Sequence, residues 1–259
     1  MRRLTHAEEL LQSLGITVPE EIDLEAIAYT QGVRIKYRPI DGCEARIIGA
    51  GDIAIVTVDN QCSFGRQRYS IGHELGHWKY HRGQKLVCRS SENEYLSDKA
   101  SSVEKHADGY AASLLMPAYL FLPMLRSYKR LNFDVVKSLA EAFKVSITAA
   151  TIRCVELGDT PAIALYHSPR GRAWFRRSEL VPRKWFPRDE LQPESSAMNA
   201  LFNHAVAPLT TTRLRTISAE AWFDSYDAGR YEIQEQTFKV SSSEIITLLI
   251  VDDEEMLED

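Results

Sequence analysis

The chain reads as an α+β protein: a helix-rich front domain with a small sheet, a helical pair, and then a second α+β module of about 100 residues. Three observations predict this. Apolar residues recur at helical spacing through most of the first 158 residues, broken by three short β-branched runs. After about residue 160 the texture changes to strand-like runs separated by turn residues. The length of 259 residues is also ample for two separate cores. The expected divisions are 1–130, 131–160 for the helical pair, and 161–259.

In the front domain, His6 to Gln12 and Leu24 to Gln31 have helical spacing, and Asp23 is placed to cap the second. Val33 to Arg38, Ala45 to Ile48 and Ile53 to Val58 read as strands, the last two joined by a turn at Gly49-Ala-Gly-Asp52. Asn60 to Arg68 is polar and loop-like. From about Gln67 a helix begins, with Ile71, Leu75 and Trp78 on one apolar stripe. Gln84 to Asn93 reads as a loop, and Val103 to Met116 as a helix ended by Pro117. The pair Phe133 to Phe143 and Ile147 to Leu157 turns at Lys144-Val-Ser146 and closes at Gly158.

In the second module, Ala162 to His167 and Arg172 to Arg176 suggest a hairpin around Pro169-Arg-Gly171. Ser195 to Val206 suggests a helix. Thr216 to Phe223, Tyr231 to Val240 and Glu244 to Val251 supply three further strand-like runs, and the acidic Asp252-Asp-Glu-Glu reads as a solvated end.

Composition excludes several classes. The net charge of −5 gives no global attraction to nucleic acid, so any such binding needs a local patch. No apolar run approaches a membrane span, and the N-terminal residues lack the apolar core of a signal peptide. Four scattered cysteines (Cys43, Cys62, Cys88, Cys154) form no C-x-x-C pair, which points to a reduced, cytoplasmic protein.

Two strings carry chemistry. His73-Glu74-Leu75-Gly76-His77 is an H-E-x-x-H motif: imidazoles four apart on a helix point the same way and can share one metal ion. Glu74 then stands beside any water on that metal, as a general base. The second string runs from Val103 to Pro117, where Glu104 and Asp108 share a helix face with Ala107, Ala111 and Leu115 continuing the packed side. Glu104 would complete a His73, His77, Glu104 ligand set with one position open, as in a catalytic Zn2+ site. Asp108 would accept the free N–H of a ligating imidazole and fix its tautomer. No oxyanion-stabilising residue stands out; Tyr80, His81 and Tyr110 are near in sequence and read as packing or surface.

These strings resemble the ImmA/IrrE family of zinc-dependent metallopeptidases, in which H-E-x-x-H is followed by E-x-x-A-[N/D]-x-[aromatic]-A-x-x-L-[LM]-P. The chain has Glu104, Ala107, Asp108, Tyr110, Ala111, Leu114, Leu115, Met116 and Pro117, with tyrosine where phenylalanine is common. The likeness spans roughly residues 1 to 158. It implies a zincin-like fold, His73, His77 and Glu104 as zinc ligands, and Glu74 as the catalytic carboxylate. It also implies a narrow substrate, a helix-turn-helix repressor whose cleavage switches on the genes it silenced.

Cys88 lies 11 residues after His77, and a thiolate is a good zinc ligand. The segment resembles the CapP-type proteases of bacterial anti-phage operons, which implies that Cys88 occupies the open zinc position and holds the enzyme inactive. A basic cluster (Arg170, Arg172, Arg176, Arg177, Arg183, Lys184 and Arg188, against the single acid Glu179) is interleaved with Trp174, Phe175, Trp185 and Phe186. Either it binds single-stranded DNA by phosphate contacts and stacking, or it is a hairpin with solvated arginines and inward aromatics. The resemblance implies a GAF-type sensor module here, with single-stranded DNA as activator. The helix pair offers Thr148, Thr151 and Arg153 but few other long polar side chains for base edges, so it reads better as packing than as a major-groove reader. The competing reading of the whole chain is a DNA-binding transcriptional regulator whose metal site is structural or vestigial. A zinc hydrolase of a non-peptide substrate also fits the motif.

Overall fold

The computed structural model describes residues 3–82 and 102–258, which fall into two compact units. One comprises Met1–Met124 with Leu139–Ala149, the other Leu125–Ser138 with Ala150–Asp259. Among the described residues no helix is long and apolar enough to cross a membrane.

The first unit opens with α1 (His6–Ser13), whose start is fixed by a capping box: Glu8 N–H donates to the Thr5 hydroxyl and Thr5 N–H donates to the Glu8 carboxylate. Asp23 caps α2 (Leu24–Thr30) by accepting from the Glu25 and Ala26 N–H groups. Strands β1 (Val33–Tyr37), β2 (Ala45–Ala50) and β3 (Ile53–Val58) form a sheet in the order β1-β3-β2, with β1 parallel and β2 antiparallel to β3. The β2–β3 hairpin turns at Gly51-Asp52, Gly51 taking the left-handed φ of +60°. β2 is longer than its apolar residues suggest, because Gly49 lies flat against the Trp78 ring where any Cβ would collide.

Helix α3 (Phe64–Tyr80) carries the H-E-x-x-H motif and starts about a turn earlier than its apolar spacing predicts. Its first turn is polar because its side chains bind neighbours: Arg66 pairs with Glu44, and the Gln67 amide donates to the Asp59 and Cys62 carbonyls. The second motif helix is α4 (Ser102–Leu115). Sequence reading missed α5 (Ala118–Arg126), which follows Pro117 and contains Pro123. Its first N–H, from Ala118, donates to the buried Glu8 carboxylate 2.7 Å away, a contact 110 residues distant in sequence. Proline inside a helix removes a backbone donor, so this segment carries a local cost that the long-range contact at its start helps to offset. The pair α6 (Phe133–Phe143) and α7 (Ile147–Leu157) has the expected bounds, and the division between units falls within both helices.

The second unit is built on an antiparallel sheet in the order β5-β4-β8-β7-β6: β4 (Ala162–Ser168), β5 (Gly171–Arg177), β6 (Arg215–Ser218), β7 (Glu232–Ser241) and β8 (Glu244–Ile250). One face packs on α8 (Ser196–Phe202), Trp185, Trp222 and Phe223. Three expectations are corrected here. The run Thr216 to Phe223 is a strand only as far as Ser218, then a 3-10 turn that delivers Trp222 and Phe223 to the core. The helix expected over Ser195 to Val206 stops at Phe202, and the following loop runs beside β7, with Leu209 N–H donating to the Lys239 carbonyl. The acidic end is not merely solvated: Asp253 caps α9 (Glu254–Leu257), Met256 is buried, and its carbonyl accepts from the Trp185 indole N–H at 2.7 Å.

His167 on β4 sits against Trp222 with both ring nitrogens buried and without a hydrogen-bond partner among the described residues. Burial, reinforced by the Arg172 guanidinium, pushes its pKa down to about 4. The unfolded chain therefore takes this proton first, so stability is full above the ordinary imidazole pKa and declines as pH falls toward 4. His167→Leu should stabilise the protein by about 1–2 kcal/mol, since a buried unsatisfied polar group is removed, and should blunt the acid sensitivity. Thermal melts of both proteins at pH 7.5 and 5 check this; an unchanged or lower Tm at both pH values would show that the imidazole is satisfied in solution.

Candidate metal centre

The centre exists because α3 and α4 approach closely. Gly72 and Gly76 face Ala111 and Ala107, and a Cβ on Gly76 would lie 2.8 Å from the Ala107 Cα and 2.9 Å from its carbonyl oxygen. Only a glycine face on one helix against an alanine face on the other permits this contact. It brings Glu104, one turn before Ala107, over the two motif histidines. His73 Nε2 lies 2.9 Å from His77 Nε2 and 3.1 Å from Glu104 Oε2, and His77 Nε2 lies 3.5 Å from the same oxygen. The three ligand atoms all fall within 4.8 Å of one another. His73, Glu74 and His77 are each exposed by 2% or less, while Glu104 is half-buried.

Neighbouring groups fix the rings. His73 Nδ1 donates to Asp108 Oδ1 at 2.9 Å, and the Tyr69 hydroxyl donates to the same oxygen at 2.6 Å. His77 Nδ1 lies 3.2 Å from His81 Nδ1. Sequence reading missed Tyr69 and passed over His81. The signal was available: positions 69, 73, 77 and 81 are four apart and run along one face of α3 and its C-terminal cap.

The donor chemistry fits a cation. Burial first, then the neighbouring His73, pushes the His77 pKa down to about 4, so its ring is neutral at ordinary pH. The hydrogen bond with His73 lowers the Glu104 carboxyl below its usual range, so it is ionised. Asp108 takes the Nδ1 side of His73, so its Nε2 is the ring nitrogen that faces His77 Nε2 and Glu104. Two imidazoles with one carboxylate are a set zinc accepts.

Residues 28–155 match the peptidase family described as the IrrE N-terminal-like domain. This part of the chain belongs to the ImmA/IrrE family. An uncharacterized protein of Bacillus subtilis (strain 168), YqaB, is 26% identical to the IrrE-like chain over 146 residues, 56% of this chain and 78% of that one. A solved structure described as a Mycobacterium tuberculosis transcriptional regulator covers 96% of this chain and 87% of its own, at a TM-score of 0.61 and 13% identity. That likeness concerns the fold.

The remaining candidates lie elsewhere or have other partners. Cys88 lies outside the described residues. In the second unit Trp174 is buried and stacked on Tyr166, and Trp185 is buried with its N–H bonded to Met256. Arg172 packs over Phe175 and Phe186 and pairs with Asp189 at 2.5 Å. Arg176 faces Glu156, and Arg177 donates to the Pro182 carbonyl. Lys184 donates to the Glu258 carbonyl, though it and Arg170 and Arg183 are exposed on the surface. Of the four interleaved aromatics, Phe186 alone is exposed. The IrrE-like domain and the basic cluster thus differ in construction: the first converges on one point, and the second spends most of its members on its own fold.

Proposed function

We propose that the protein is a zinc-dependent endopeptidase with one regulatory substrate, a helix-turn-helix repressor in the cytoplasm. The observation that carries the peptidase reading is the convergence of His73, His77 and Glu104 with Glu74 buried on the same helical turn. Zinc held there would polarise a scissile carbonyl and acidify a water. Glu74, buried on the same helical turn and outside the converging ligand set, would accept a proton from that water and return it to the leaving amine. Burial keeps the His77 ring neutral, and Asp108 with Tyr69 holds His73 in register.

The repressor as substrate is supported by the family resemblance and by the likeness to a transcriptional regulator over both units. A sensor role belongs to the C-terminal sheet unit. Activation by single-stranded DNA has less support, since two of the aromatics needed for stacking are buried. The test is to incubate the zinc-loaded protein with a candidate helix-turn-helix repressor, sought first in the neighbouring reading frames, with and without single-stranded DNA, and to map products by mass spectrometry. A single metal-dependent cut supports the reading. An intact partner under every condition overturns the assigned substrate. The competing reading, a DNA-binding regulator with a non-catalytic metal site, draws on the same structural likeness and predicts DNA binding without any cleavage.

A further inference from the structure

The two ligand histidines are held by unlike partners. His73 leans on a carboxylate, Asp108, itself fixed by Tyr69. His77 leans on a second imidazole. His81 is the C-cap of α3: its N–H donates to the His77 carbonyl at 2.8 Å, which fixes its backbone one turn beyond the ligand. Its ring is buried, stacked on His106 at 6.4 Å with 23° between planes, and packed beside Tyr80. Its Nδ1 stands 3.2 Å from His77 Nδ1.

Two neutral imidazoles in this contact need one N–H and one lone pair between them. If His77 presents a lone pair at Nε2 to the metal, it carries its proton at Nδ1 and His81 must accept there. We propose that His81 is a positioning residue for the metal centre, whose Nδ1 accepts the His77 Nδ1–H and so selects the tautomer that turns His77 Nε2 toward the metal. The inference rests on reading His73, His77 and Glu104 as a metal site. It adds a consequence: a neutral acceptor enriches its imidazole less than a carboxylate does, so His77 is the weaker-held of the two nitrogen ligands.

Two substitutions separate orientation from packing. An asparagine at 81 places its amide oxygen where Nδ1 stands, whereas a glutamine places its oxygen nearer Nε2. Zinc affinity, measured by competition with a chromophoric chelator on the full chain, should fall about 10- to 100-fold in His81→Gln and stay within about threefold of the parent in His81→Asn. The visible spectrum of the cobalt-substituted protein should change in the glutamine variant and be preserved in the asparagine variant. Equal affinity in the two variants, whether both high or both low, overturns the proposal. Failure of the metal reading looks different: the parent protein would then bind zinc no better than His73→Ala.

Discussion

Glu74→Gln is expected to lower cleavage of the protein substrate on the order of 10³-fold, the scale of a lost general acid–base, while zinc stays bound at one ion per chain. Glutamine keeps the shape and the hydrogen-bonding reach of the side chain but takes no proton at neutral pH. The prediction separates the two readings of the chain because Glu74 is not one of the three converging ligand atoms. Zinc content by atomic emission and cleavage by timed mass spectrometry are the measurements. Full activity in the variant would remove Glu74 from the chemistry; loss of zinc together with activity would make it a ligand instead.

Gly76→Ala is expected to cost both stability and the metal. In an exposed helix this change gains about 1 kcal/mol, because alanine loses less backbone entropy than glycine. Here the new methyl would meet the Ala107 Cα at 2.8 Å and its carbonyl oxygen at 2.9 Å, with the Tyr110 Cβ at 3.1 Å. Two of these are backbone atoms, which cannot rotate aside, so the helices must part. Overpacking of this kind typically costs about 1–3 kcal/mol. Parting α3 from α4 also carries Glu104 away from the imidazoles it faces across only 3.1 and 3.5 Å. Gly72→Ala is the graded comparison, since its methyl would approach Ala111 no closer than 3.2 Å. The expected order of both Tm and zinc affinity is parent, then Gly72→Ala, then Gly76→Ala. A stabilised Gly76→Ala that still binds zinc would mean the helices are not locked at this distance.

Much of the architecture was legible from local patterns. The capped helix after Asp23, the three strands of the front sheet, the pair at Phe133–Phe143 and Ile147–Leu157, and the hairpin at Ala162–Ser168 and Gly171–Arg177 all follow from periodicity and turn chemistry. The failures share one cause. Helix α5 escaped notice because its start is satisfied by Glu8, more than 100 residues away in sequence. The first turn of α3 looked like loop because Arg66 and Gln67 spend their polarity on Glu44, Asp59 and Cys62. The acidic end looked solvated because a single buried residue, Met256, anchors it.

The same division runs through the candidate metal centre. The sequence by itself determined which atoms are available: the i, i+4 spacing of His73 and His77 is a property of any α-helix, and the Glu104 string names its family. It did not determine how those atoms meet. Glycines on α3 set against alanines on α4 close the distance to Glu104, and contacts across 35 and 39 residues join Asp108 to His73 and Tyr69. A tryptophan that looked ready to stack a base is buried in the core of the second unit. Helical spacing is local and survives in the sequence. The approach of two helices depends on what every intervening residue allows, and only the folded chain records that sum.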